Sequence, residues 1–279
     1  MTERSLIDHH CHGVVSTELD RAGFEALLNE APGPSALGTT LFDSMLGVAI
    51  RRWCAPVLDL EPFADADAYL DRRAGLGADE VNRRFLRACG VSDYLVDTGF
   101  EPGLLTDPDR TAAFAGGRGH EIVRLESVGE ELVAAGARGG DFAERVRDRI
   151  TGCGAVGAKS IAAYRVGLAL PATQPSVDEL AAALEQLEPG PGGAYRLAHP
   201  VVNGWLAYEA VAAGLPLQIH VGYGDNDLDL ADCDPLLLTD FLRATEGAGT
   251  PVLLLHNYPF HRHASYLAQV FGHVFMDVG

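Results

Sequence analysis

Positive charge is scarce in this chain. Lys and Arg number 21 against 39 Asp and Glu, for a formal net charge of −18. With no basic stripe to displace counterions from a phosphate backbone, nucleic acid is excluded as a partner. Cysteine is also thin: five residues (Cys11, Cys54, Cys89, Cys153 and Cys233), odd in number, scattered, and without a Cys-x-x-Cys pair. That pattern excludes a disulfide frame and a thiolate zinc cluster, and fits reduced thiols. Long uncharged apolar runs are missing, and Met1 to Ser5 hold no apolar signal core, so no membrane partner is expected and the cytoplasm is the expected location. Low-complexity tracts are absent too. What remains is ample: 279 residues at 47% hydrophobic composition can bury a large core.

Short apolar runs alternate with amphipathic stretches, the pattern of β-α units on a parallel sheet. Seven strands are predicted: 6–10, 93–98, 121–126, 155–160, 215–221, 252–257 and 274–278. Helices are predicted at 141–149, 177–187, 202–213, 235–244 and 264–271, with Pro and Gly between them, as in Pro189-Gly190-Pro191-Gly192-Gly193. The gap between the first two strands is too long for an ordinary connection. Its helical periodicity at 24–28, 41–53, 66–70 and 80–88 marks residues 13–90 as a helical insertion, a lid subdomain expected over the mouth of a barrel built from 1–12 and 91–279. The predicted fold is therefore α/β, a TIM-type (β/α) barrel with a helical insertion after strand 1. Seven strands are one short of closure, so the barrel is expected to be truncated before strand 8.

Strand ends carry the chemistry. His10 and His12, in Asp8-His9-His10-Cys11-His12, close the first strand and share a face because alternate side chains of a strand point the same way. Lys159 closes the fourth strand, His220 the fifth and His256 the sixth. In a parallel barrel these ends converge on one mouth. A single histidine after an apolar run is ordinarily a satisfied core residue; the ordered set argues otherwise. Lys159 follows Ala155-Val156-Gly157-Ala158, so its ammonium must be paired or neutralised. Either it is carbamylated by carbon dioxide and bridges metals, or it pairs with Glu126, Asp97 or a substrate carboxylate. His120 and His273 fall at strand starts, where residues serve stability. His261 and His263 begin a helix and diverge.

Asp8-x-His10-x-His12, the strand-four Lys159, the strand-five His220 and the strand-six His256 together resemble the amidohydrolase superfamily of metal-dependent TIM-barrel hydrolases. Phe42-Asp43-Ser44, Arg51-Arg52-Trp53-Cys54-Ala55-Pro56, Lys159 through Arg165, His220-Val221-Gly222-Tyr223-Gly224-Asp225 and Leu255-His256-Asn257-Tyr258-Pro259 look like its amidohydrolase 2 branch. That branch includes the domain fused ahead of glutamine-synthetase-like domains in FluG and nodulin-type proteins. The resemblance implies that His10 and His12 hold one ion, that carbamylated Lys159 bridges, and that His220 and His256 hold a second. A single-ion alternative uses His10, His12 and His220, with His256 polarising the substrate. The cofactor implied is one or two divalent ions, zinc first, with manganese or iron as alternatives. The superfamily's strand-eight Asp has no counterpart before Gly279.

Those groups support hydrolysis of a C–N, amide-type bond of a small carboxylate-bearing substrate by metal-activated water, with Lys159, His220 and His256 catalytic. Arg51, Arg52, Tyr164 and Arg165 are the candidate substrate contacts, because a guanidinium matches a carboxylate bidentately. The bland alternative for the arginines is charge pairing on an acidic surface. Two other functions stay open: a metal-dependent non-oxidative decarboxylase, and a catalytically incomplete domain serving a fused partner. A homo-oligomer is compatible with all three.

Overall fold

The computed structural model describes residues 5–31 and 33–278. The chain divides into two compact units, the first through His120 and the second from Glu121.

In the first unit β1 (Leu6–Cys11) runs parallel to β2 (Val91–Asp97), with Ile7 opposite Asp93 and Cys11 opposite Val96. The register shifts between Asp8 and Cys11, at the histidine run. Asp8 supports the irregularity by accepting a hydrogen bond from the His10 N–H at 3.3 Å. Gly13 follows because the chain after β2 passes close by: a Cβ at Gly13 would lie 2.0 Å from the Thr106 carbonyl oxygen. Between the two strands lie helices Arg21–Ala26, Met45–Ala49, Ala66–Leu76 and Ala78–Ala88. Asp20, Ser44 and Asp65 cap the first three by accepting from the N–H groups of Gly23, Gly47 and Ala68. These helices share an apolar cluster of their own, in which Phe24 and Phe42 stack at 5.4 Å with Tyr69 edge-on to both. Among the sequence-predicted elements of 13–90, each helical stretch has a helical counterpart.

β3 (Arg118–Arg124) crosses from the first unit into the second, where β4 (Gly157–Ser160), β5 (Leu217–His220), β6 (Val252–Leu255) and β7 (Val274–Met276) follow in chain order, every neighbouring pair parallel. Helices connect them: Leu125–Ala134 and Gly139–Gly152 before β4, Val177–Leu184 and Pro200–Ala212 before β5, Thr239–Thr245 before β6, and His261–Val270 before β7. Parallel strands in chain order with helical crossovers are the α/β winding of a TIM-type barrel.

Register separates the two faces of this sheet. Val123, Ala158, Leu217, Ile219, Val252, Leu254 and Val274 belong to one buried cluster with the helices. The other face carries Arg124, Lys159 and Gln218, which are register partners across β3, β4 and β5, and, two residues beyond Gln218, His220. On β4 the helix side ends in Ser160, whose hydroxyl donates to the fully buried Glu126 at 2.7 Å.

Two stretches depart from expectation. Leu125 and Glu126, predicted as the end of a strand, begin helix Leu125–Ala134, whose Leu125, Val128, Leu132 and Val133 recur at helical spacing and are buried. A helix absent from the prediction, Pro108–Ala115, starts at an Asp107 cap that accepts from the Arg110 N–H at 2.7 Å.

Candidate metal centre

In the second unit the structure brings together Lys159, His220 and His256. Lys159 is the chain's only lysine, among 20 arginines, and its side chain is 2% exposed. His220, the last residue of β5, is buried, and its ring centroid lies 4.7 Å from that of His256. The Tyr223 backbone hydrogen-bonds to the His220 ring, while its Nε2 is buried with no partner. Fixing one nitrogen of an imidazole by a backbone group and presenting the other is how proteins orient a histidine toward a cation. Burial pushes His220 down to about 2, with the charges of Lys159 and then His256 acting the same way, so the ring is neutral and its lone pair available at neutral pH.

His256 follows β6 with a φ of 61°, the left-handed region that a non-glycine residue seldom adopts. Its backbone is held there from β7: the Asp277 carboxylate accepts from the His256 N–H at 3.1 and 3.3 Å and from Asn257 Nδ2 at 2.9 Å. Gly222 completes the junction. At φ 66° it passes the turn after β6 so closely that a Cβ would stand 2.5 Å from the Tyr258 carbonyl oxygen and 2.6 Å from that of His256.

Tyr164, on the 3-10 turn Ala162–Tyr164 after β4, packs its ring edge-on against His220 at 4.7 Å between centroids. Its carbonyl accepts from Arg196, which also pairs with Asp227 at 2.6 Å, tying down the acidic loop after β5. Arg165 turns toward Glu130 in a half-buried ion pair, Nε to Oε1 at 2.9 Å. Glu126 accepts from Ser160 and from the Ile161 N–H at 3.0 Å, on the helix side of β4, opposite Lys159. Burial pushes its carboxyl above the usual range.

In the first unit the rings of His10, within β1, and His12, just past its end, lie 5.3 Å apart, edge to face. His12 Nδ1 is 3.5 Å from the Asp97 carbonyl oxygen, and its ring is 4.7 Å from Phe100. Burial, then Asp8 and Asp97, push the Cys11 thiol between them up to about 12. Arg51 is engaged locally, donating to the Ala64 and Phe63 carbonyls at 2.8 and 3.0 Å. Arg52 lies over the rings of Trp53 at 4.6 Å and Phe63 at 5.6 Å.

Among the described residues, no group of three or more His, Cys, Asp or Glu side chains is placed to hold a metal ion. In the second unit His220 and His256 offer two imidazoles; the Lys159 ammonium beside them would repel a cation, and only as a carbamate would it add oxygen ligands. Arg124 and Asp277 were not among the sequence candidates, and Asn257 entered only as part of the Leu255-His256-Asn257-Tyr258-Pro259 motif. Each stands at or just beyond a strand end, which was the available signal.

No family model matches the chain. Protein fluG of Emericella nidulans is 25% identical over 320 residues, an alignment that takes in 98% of this chain. The chain spans only 36% of the length of that curated relative. A crystal structure from Lactobacillus casei ATCC 334, of a protein designated by inference a metal-dependent hydrolase, superposes with a TM-score of 0.76 at 32% identity, covering 98% of this chain and 73% of that one. No helix among the described residues is long and apolar enough to cross a membrane. A third of the residues held in common along most of both chains, on a shared fold, places this chain in the family of metal-dependent hydrolases to which the Lactobacillus casei protein belongs.

Proposed function

We propose that the protein is a hydrolase of the amidohydrolase type, acting on a C–N bond of a small carboxylate-bearing substrate with His220, His256 and a carbamylated Lys159 as its metal-binding and catalytic groups. The assignment of His10 and His12 as further ligands rests on the Asp8-x-His10-x-His12 motif. The observation that carries the proposal is the buried, unpartnered Nε2 of His220 beside the chain's single, buried lysine. A buried ring nitrogen without a partner costs free energy, and a cation relieves that cost. Arginine serves at every other cationic position, yet arginine cannot lose a proton to accept carbon dioxide; lysine can.

A divalent ion, zinc first, would bring the pKa of a water molecule toward neutrality and polarise the scissile carbonyl. The chain's own part is to hold the imidazoles neutral and fixed: Tyr223 orients His220, Asp277 fixes the backbone of His256, and the Tyr164 ring covers His220.

The experiment is metal content by elemental analysis after production with zinc or manganese, with and without bicarbonate, for the wild type, Lys159→Arg and His220→Ala. Bicarbonate-dependent occupancy in the wild type, lost in both variants, is expected. Full occupancy in Lys159→Arg would reject the bridging lysine, and an empty wild type would reject the metal.

A further inference from the structure

β6 and β7 begin at the opposite end of the sheet from His220 and His256, and a cavity of about 320 Å³ opens there, lined by Glu246, Gly249, Pro251, Gly272, His273 and Phe275. Its size is at the lower end of the range for small-ligand sites, about 300–1,000 Å³. The backbone around it is fixed. The Val252 N–H donates to the His273 carbonyl at 2.9 Å and the Leu217 N–H to that of Pro251 at 2.8 Å, tying the walls to the first residues of β6 and β5. Gly249 and Gly272 border open space, since a Cβ on either would meet no atom within 4 Å.

His273 is 7% exposed, and among the described residues neither of its ring nitrogens has a hydrogen-bond partner. A place just ahead of a strand suits a stabilising histidine, but a histidine in that role is bonded: His120, near the start of β3, sets its Nε2 2.9 Å from the Asp93 carboxylate. A buried ring with two unbonded nitrogens costs stability, and a ligand that bonds to them recovers it. Burial holds the His273 ring below its ordinary value, so it is neutral and carries one N–H donor and one lone pair. The Glu246 carboxylate acts against burial, so its charge reaches the ring. Phe275 alternates with Val274, which packs into the helix-side cluster, and leaves a ring that is 53% exposed beside the cavity. None of the lining residues is basic, and an aromatic face with a carboxylate near it attracts an organic cation. His273 and Glu246 are two donors, short of the three or four side chains that hold a metal ion.

We propose that this cavity is a second ligand site and takes a small organic ammonium ion, with the His273 lone pair accepting from the ammonium, Glu246 balancing its charge, and Pro251 and Phe275 covering its apolar part. The site is independent of the hydrolase reading above, because none of its groups is shared with Lys159, His220 or His256.

The test uses the full chain with isotopically labelled histidine rings and three probes of similar shape and different charge: isobutylammonium, isobutanol and isobutyrate. The His273 ring nitrogens are followed by NMR and identified by the signals missing in His273→Gln. Isobutylammonium is expected to move those signals saturably, and isobutanol to bind about threefold to thirtyfold more weakly, the range for an exposed charge contact together with a cation–π contact. Isobutyrate should be weaker again. Glu246→Gln, at an exposed position, is expected to bring the ammonium and the alcohol to equal affinity with the circular dichroism unchanged. Gly272→Val, which adds bulk where there is room for it, is expected to abolish the shift. His273 signals that no probe moves, the result of water alone in the cavity, would overturn the site, as would a Gly272→Val protein that binds as tightly as the wild type. Isobutyrate binding as tightly as isobutylammonium, or an unaltered preference in Glu246→Gln, would overturn the ligand class.

Discussion

Replacing Asp277 by alanine probes how the site holds His256. The carboxylate accepts from two donors, the His256 N–H and Asn257 Nδ2. Asn257 Nδ2 keeps the Leu254 and Asp277 backbone carbonyls as acceptors at 2.8 and 3.1 Å, so the His256 N–H carries most of the loss. A hydrogen bond to a charged group contributes about 1.5–3 kcal/mol; Asp277 is half-buried, so the lower value, about 1.5 kcal/mol, applies. At roughly 2–4 °C per kcal/mol for a domain of this size, the melting temperature should fall by about 3–6 °C. Asp277→Asn keeps one acceptor oxygen and should lose about half as much. The cause is separable from general damage because His256 sits at φ 61°, which glycine adopts freely. If the clamp exists to hold that backbone, His256→Gly should make Asp277→Ala cheaper by about 1 kcal/mol, the cost of the left-handed conformation. Urea unfolding of the four proteins of this cycle, followed by circular dichroism, measures the coupling. Strict additivity, or an Asp277→Ala cost below about 1 kcal/mol, would refute the clamp.

Other consequences can be checked separately. Gly222→Ala should destabilise by about 2–4 kcal/mol, from the left-handed backbone plus contact with the His256 and Tyr258 carbonyls, and should lower metal occupancy along with the melting temperature. Phe42→Ala, at a fully buried position in the aromatic cluster of the first unit, should cost about 3–5 kcal/mol by urea titration. Arg118, Ser92 and His120 hold the Asp93 carboxyl well below the usual carboxylate range. A depressed folded-state pKa adds stability above the unfolded value, near pH 4, that is lost as pH falls toward the folded one. Asp93→Asn should therefore flatten the acid limb of the stability profile below about pH 4 and leave its shape near neutrality unchanged; an unaltered acid limb would assign that limb to other carboxylates.

Much of the fold was legible because the two periodicities are local. Strands β4 to β6 end at or within a few residues of where their apolar runs stop, and Lys159, His220 and His256 fall at or just beyond those ends. Helix Leu125–Ala134 blurred into β3 because Ile122, Val123 and Leu125 read as one apolar run, with no capping side chain to divide them. The destinations of the arginines were not legible. Arg165 finds Glu130 across 35 residues and Arg51 finds backbone carbonyls 12 and 13 residues away, and carbonyls are the same at every position. Asp277 stayed hidden for the same reason: its partners lie 20 and 21 residues upstream and become neighbours only when β6 and β7 pair.

That the chain's one lysine is also among its most enclosed side chains makes the protein its own probe. A lysine-specific endoprotease has a single bond to cut, the one after Lys159, and that bond lies inside β4 with strands on both sides. Cleavage into two fragments can then proceed only as fast as the sheet around β4 opens. Its rate, followed on a gel with no label attached, reads the opening free energy of the sheet at the lysine itself.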